Sequence, residues 1–267
     1  MEIPRVIPIL LIKEKGLVKT KKFKSPKYIG DPINSVRIFN EKEVDEIIIL
    51  DIEASKKTQG PDFSLLKDIA AEAFMPLGYG GGIKSVDEVK KIFELGFEKI
   101  VINSSSYDSY KIIEDSARMF GSQSIVGCID IKQSIFSKRF LYSHSGQKKQ
   151  KISIDNHINN LINAGIGELI IQTIHLDGTK KGYDLNFLKK VSKSIKIPSI
   201  GLGGAGELCH LVAAIDKTDL SAVAAGSIFV YFGTHDAVLI NYPERDVIEN
   251  LFCSKWFNIY KLFLNMR

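Results

Sequence analysis

The sequence predicts one closed (β/α)8 barrel, a TIM barrel built from two similar halves, and three observations carry that prediction. The chain has 267 residues, close to the roughly 250 of a single barrel. Short, nearly continuous apolar runs alternate along its length with stretches of helical period, as expected for parallel strands buried on both faces. The second half also repeats the first: YGGGIKSVDEV from Tyr79 matches LGGAGELCHLV from Leu202, INSS at 102–105 matches AAGS at 224–227, and LLIK at 10–13 matches IDIK at 129–132. The spacing is about 120 residues throughout. Neither half closes a sheet alone, so the repeat describes one domain.

Taken in order, the strands are expected at 5–12, 46–51, 75–79, 99–103, 124–131, 168–174, 197–201 and 221–226. Most are β-branched and end at Gly, Asp or Pro. Between them the clearest helix runs over 85–96. Ser85 and Glu88 make a capping-box pair, Val86, Val89, Ile92 and Phe93 share one face, and Gly96 stops it. Residues 153–165 repeat the design, with Ile154, Ile158, Leu161 and Ile162 on one face and Gly165 at the end. The barrel is expected over 1–250. The stretch 251–267 (LFCSKWFNIYKLFLNMR) reads as an amphipathic extension of the last helix, packed on the barrel wall.

Composition excludes several classes. With 45% hydrophobic and 25% charged residues the chain is neither disordered nor fibrous. Cys128, Cys209 and Cys253 are odd in number and lack a CxxC, so neither a disulfide framework nor a zinc site is expected. His144, His157, His210 and His235 show no metal spacing and read as surface or capping residues. No metal or other cofactor is expected. No apolar run approaches a membrane span and the N-terminus lacks a cleavage site, which points to a cytoplasmic protein. The formal charge of +5 is concentrated in Lys13–Lys27, where seven lysines face only Glu14. Without stacking aromatics or a helix-turn-helix beside it, this segment does not read as a nucleic-acid surface. A mobile lysine-rich loop over a site for a phosphorylated or otherwise anionic small molecule is the sharper reading; a solvated charge run is the plainer one.

The repeat also locates chemistry, because barrels of this class place their sites at the C-terminal strand ends. Glycines after the third and seventh strands (Gly80, Gly81, Gly82; Gly203, Gly204) allow close backbone approach. Ser104 and Ser227, after the fourth and eighth, fit phosphate cradles. Two such cradles imply a substrate with an anion at each end. Asp130, at the end of the fifth strand among Ile129 and Ile131, is a candidate general acid or base. Its counterpart by the repeat is Leu11. Asp51, Asn103, Thr173, His175 and Asp177 are the other polar strand-end groups.

RVIPILLIK, YIGDP at 28–32, ELGFEKIVINSS, FGSQSIV, CIDIK, DGTKKGYD and GLGGAG, in this order, resemble the cyclase subunit of imidazole glycerol phosphate synthase, over about residues 1–230. The resemblance implies a duplicated-half barrel that takes ammonia from a glutaminase at its bottom and adds it to a bisphosphate at its top. It assigns Arg5, Glu46, Lys99 and Glu168 to a ring gating the ammonia path, and Glu98 and Gln123 to the glutaminase contact. Gly82, Asn103, Ser104, Asp177, Gly178, Gly204 and Ser227 match its phosphate sites, Asp51 joins the substrate positions, and Lys19 matches a loop lysine that closes over substrate. The family's acid–base pair is two aspartates. Here Asp130 remains and Leu11 replaces the other, while His175 replaces an acidic residue and Leu202 a small polar one. This pattern resembles paralogues that accompany a sugar amidotransferase in surface-glycan pathways, with His175 as a second catalytic candidate. The alternatives are an authentic cyclase, in which Glu14 or Asp51 stands in for the missing acid, and a non-catalytic phosphate-binding regulatory subunit.

Overall fold

The computed structural model describes residues 3–57 and 60–252. Eight parallel strands form the barrel: β1 (Arg5–Lys13), β2 (Ile47–Asp51), β3 (Leu77–Gly80), β4 (Lys99–Ile102), β5 (Ile125–Gln133), β6 (Glu168–Thr173), β7 (Ser199–Leu202) and β8 (Ala222–Ala225). Each pairs with the next, and the Arg5↔Ala222 register of β1 on β8 closes the circle. Their burial is almost continuous, because helices cover the outside while apolar side chains fill the inside. The expected strands all form, with ends within a few residues of the prediction. The helix at Val86–Glu94 has both halves of its capping box, and Ile154–Ala164 starts at Ser153 and ends at Gly165 in the left-handed region. The expected extension at 251–267 begins in the helix Arg245–Phe252; residues 253–267, with Cys253, lie outside the described residues. No described helix is long and apolar enough to cross a membrane.

The lysine-rich segment differs from the expected loop. It forms an antiparallel ribbon, Gly16–Lys21 with Lys24–Gly30, continuing from β1. A second ribbon continues from β5, Arg139–Ser143 with Lys148–Lys149. The two are related by the internal repeat and rise over the same end of the barrel. Their turns lack the Asn-Gly signal of tight hairpins. Glu14, Lys15, Lys22 and Phe23 take positive φ in the first ribbon, as do Ser137, His144 and Ser145 in the second. That is why the residue types concealed them.

Candidate functional site at the C-terminal mouth

The inside of the barrel is layered from floor to mouth. At the floor Arg5 bridges Glu46 and Glu168 through its two terminal nitrogens. Lys99 Nζ completes the ring at 2.8 Å from Glu46 and 3.0 Å from Glu168. Arg5 and Lys99 open β1 and β4, Glu168 opens β6 and Glu46 directly precedes β2, so four charges of alternating sign meet across the axis. Burial opposes charge on Arg5, but Glu168 and Glu46 outweigh it and raise its pKa. Glu98 and Gln123 are exposed at the same end, just before β4 and β5. Above the ring the lining is apolar: Ile7, Ile48, Val126, Ile170, Ile200 and Ala222, then Ile9, Val101, Cys128, Leu202 and Ala224. Gly80 is held to glycine there, since a Cβ would stand 2.8 Å from Leu50 Cδ2.

At the mouth this shaft opens into a cavity of about 230 Å3. Asp130 lines it, 6% exposed and without an ion pair among the described residues. Burial pushes its carboxyl up to about 7; a hydrogen bond from Asn103 opposes the shift and Asp177 adds to it. Cys128 Sγ lies 3.9 Å from Asp130 Oδ1, and burial raises that thiol as well. Leu11, Leu50 and Leu202 supply an apolar wall. A lone carboxyl poised near neutrality can give or take one proton here; Leu11 can do neither.

Of the other predicted residues, Asp51, Gly82, Asn103 and Ser104 line the cavity, as do Lys19 and Asp177. Asp51 Oδ1 accepts from the Glu53 and Ala54 N–H groups, which turns it into its own loop. Ser104 Oγ accepts from the His144 N–H at 2.9 Å. Lys19 and Asp177 are clasped to each other: Nζ lies 2.9 Å from Oδ1, and Thr20 Oγ1 donates to Oδ2 at 3.1 Å. Two groups of the predicted residues stand off the cavity lining. His175 does not line the cavity; its Nε2 is 3.8 Å from Asp184, whose carboxylate Arg139 already holds at 2.8 Å. Burial lowers the His175 pKa. Gly178, Gly204 and Ser227 are likewise absent from the lining, although Gly226 is part of it; the chain packs on the two glycines, and Ser227 is buried. A Cβ on Gly178 would run into the Thr20 carbonyl, and one on Gly204 into that of Gly182. Thr173 spends its hydroxyl on the Leu202 and Gly203 carbonyls, and Glu14 is an exposed partner of Lys13 and Lys57 away from the cavity.

The structure also adds residues that the sequence did not single out: Ser55, Gln172, Ser145 and His144. His144 had read as a surface or capping residue. Gln172 was legible in principle, since it stands beside Asp130 in the β5–β6 register and is the repeat partner of Leu50. Ser55 and Ser145 sit in loops with no periodic signal. No cluster of three metal-ligating side chains occurs among the described residues.

Comparison with known proteins places this geometry. The profile of the histidine biosynthesis protein family matches residues 5–236. A protein of Pseudomonas aeruginosa, provisionally named imidazole glycerol phosphate synthase subunit hisF2, is 47% identical over 92% of this chain and 98% of its own. One from Vibrio vulnificus, provisionally named subunit hisF3, is 45% identical over 90% and 93%. The imidazole glycerol phosphate synthase subunit HisF of Bacillus cereus is 36% identical over 85% and 90%.

Proposed function

The chain belongs to the histidine biosynthesis protein family, and we propose that it serves there as the ammonia-conducting barrel of a glutamine amidotransferase complex, with an acceptor other than the bisphosphate of imidazole glycerol phosphate synthesis. The observation that carries this reading is the contrast along one axis: a complete four-charge ring at the floor and Leu11 in place of a second acid at the mouth. A glutaminase docked on the floor, around Glu98 and Gln123, releases ammonia at the ring. The apolar shaft passes neutral ammonia and disfavours ammonium, whose desolvation is costly. Asp130 meets the ammonia as it leaves. Ring closure in the parent reaction uses two proton-transfer groups, and removal of one commonly costs about 10²–10⁴ in rate. Simple transfer of ammonia to an activated acceptor asks less of the barrel. An acetamido sugar converted to its acetamidino form, activated by a sugar amidotransferase as third protein, is an acceptor of that kind in surface-glycan biosynthesis.

The test is reconstitution with the cognate glutaminase, together with an ammonia-dependent assay on the aminoimidazole ribotide bisphosphate. The expected result is complex formation and glutaminase stimulation, no cyclisation by the wild type, and a gain of cyclisation in Leu11→Asp. Absence of both binding and stimulation overturns the reading. Cyclisation by the wild type that is lost in Asp130→Asn replaces it with the authentic cyclase. Binding of phosphate ligands without turnover by any reconstituted complex replaces it with a regulatory subunit.

A further inference from the structure

The outer face of the two ribbons takes no part in conducting ammonia, yet its chemistry is one-sided. From Lys132 to Lys151 the second ribbon carries five lysines, Arg139 and no acidic residue. Arg139 is spent on Asp184 at 2.8 Å. The five lysines are exposed, and none forms an ion pair among the described residues. At the tip of this ribbon the Ser134 N–H donates to the Lys138 carbonyl at 2.8 Å and the Ser137 N–H to the Ser134 carbonyl at 3.1 Å, with Ser137 at φ 59°. This closed turn holds Ile135 and Phe136 outward, 92% and 80% exposed. Turn tips ordinarily carry Gly, Asn, Asp or Ser; here two adjacent large apolar side chains are held in water. The first ribbon repeats the pattern, with Lys21, Lys22, Lys24 and Lys27 exposed and Tyr28 exposed beside them. Its one acidic residue, Glu14, already faces Lys13 and Lys57. Of the carboxylates around this end, Asp236 is held by Lys180, while Asp108 and Asp155 are exposed.

We propose that this face docks on an anionic lipid surface, with Ile135 and Phe136 entering the headgroup layer and the lysines of both ribbons lying over lipid phosphates. Charge complementarity decides the occupant. Protein interfaces are enriched in Arg and depleted in Lys; this face is the reverse, since its exposed cations are lysines and its one arginine is already paired. A compact ammonium on a flexible stem suits headgroups that offer charge without a fixed geometry. An apolar pair on a protruding turn enters a fluid interface without a matching pocket, and flanking lysines keep their heads in the polar layer while it does so. The floor, with Glu98 and Gln123, lies at the other end of the strands, so a glutaminase there and a lipid surface at the ribbons do not compete. The proposal goes beyond the ammonia-conducting role and requires no part of it.

The experiment is flotation of the purified full chain with vesicles of phosphatidylcholine, either alone or with about one third phosphatidylglycerol. Binding to the anionic vesicles is expected to exceed that to phosphatidylcholine at least about tenfold, and to fall at least about tenfold between low and high salt. Ile135→Ser combined with Phe136→Ser should weaken it at least about fivefold. Lys138→Glu combined with Lys148→Glu should weaken it at least about tenfold. Phe74→Ser is the control: Phe74 is 92% exposed but stands at the floor end, between the helix Phe63–Glu72 and β3, and its loss should change binding less than about twofold. Circular dichroism checks that each variant is folded. Equal binding to both kinds of vesicle, or a loss in Phe74→Ser as large as that at the tip, overturns the proposal. Binding that survives both double variants belongs to another segment of the chain and overturns it too. No binding to the anionic vesicles also overturns it and leaves the face to an acidic protein. Because neither glutaminase nor acceptor is present, failure here leaves the amidotransferase reading intact, and a failed reconstitution leaves this result standing.

Discussion

The floor and the mouth of this barrel are built by the same eight strands and solve the problem of buried charge in opposite ways. At the floor each buried carboxylate, Glu46 and Glu168, meets two cations. At the mouth Asp130 meets none among the described residues, and its pKa rises to about 7. A ring of alternating charge offsets its own desolvation and is fixed in geometry; a lone carboxyl remains a titrating group whose charge depends on pH. The floor is therefore a fixed ring of ion pairs and the mouth a titrating site. Glu46→Ala attacks the ring most directly, since Arg5 and Lys99 both lose a partner. A loss of about 3–5 kcal/mol in urea unfolding is expected. A change as small as that expected for the solvent-exposed Arg37–Glu72 pair, where water screens the charges, would break the comparison.

Asp130→Asn should act with the opposite sign. The folded-state pKa lies above the unfolded value of 3.8, so the carboxyl favours the fold fully below about pH 4 and loses that contribution as pH rises through about 7. Asparagine removes the penalty. The variant should match the wild type at pH 4 and be more stable at pH 8, by roughly 2–4 kcal/mol at most. Equal stability at both pH values would mean that the mouth is as well compensated as the floor.

Leu11→Asp sharpens the same point. It places a second carboxyl in an apolar wall across the mouth from Asp130. The expected cost is about 1–3 kcal/mol at pH 8, shrinking as pH falls and the carboxyls protonate. A cost independent of pH would assign it to lost leucine packing instead. The stability measurement and the cyclisation assay then report on one substitution from two sides.

Much of this architecture was legible in the sequence, and the rest was hidden for identifiable reasons. The eight strands and the capped helices at 85–96 and 153–165 followed from apolar runs and end signals, because burial on both faces leaves a strand little freedom in composition. The floor ring was named from resemblance, and its four members do meet. The ribbons were missed because non-glycine residues such as Lys15 (φ 66°) and Phe23 (φ 62°) make their turns. Surface lysines then looked like a loop. His175 sits off the cavity lining, because its position after β6 says nothing of where loop packing sends the ring, which is toward Asp184. The glycine-and-serine strand ends of the two halves look equal in sequence because a repeat encodes the motif but not what lies over it. Only the fold shows Thr20 resting on Gly178.

The smallest effect tests how the mouth is held. On the side of the second ribbon, unlike the floor, it depends on single hydrogen bonds between ribbon and loop. One is the His144 N–H donating to Ser104 Oγ at 2.9 Å, with His144 itself at φ 53° in the left-handed region that non-glycine residues rarely adopt. Ser104→Ala leaves that N–H without its acceptor, a loss of about 1 kcal/mol, and gives the second ribbon a reason to lift. Global stability should fall by no more than that. Amide exchange at His144 and Ser145 should accelerate severalfold, while Ile48 and Ile170, deep in β2 and β6, keep their protection, since local opening and global unfolding are separate events. Acceleration spread evenly through the barrel would show that the ribbon is part of the core, and that floor and mouth are one cooperative unit rather than a fixed ring beneath a movable rim.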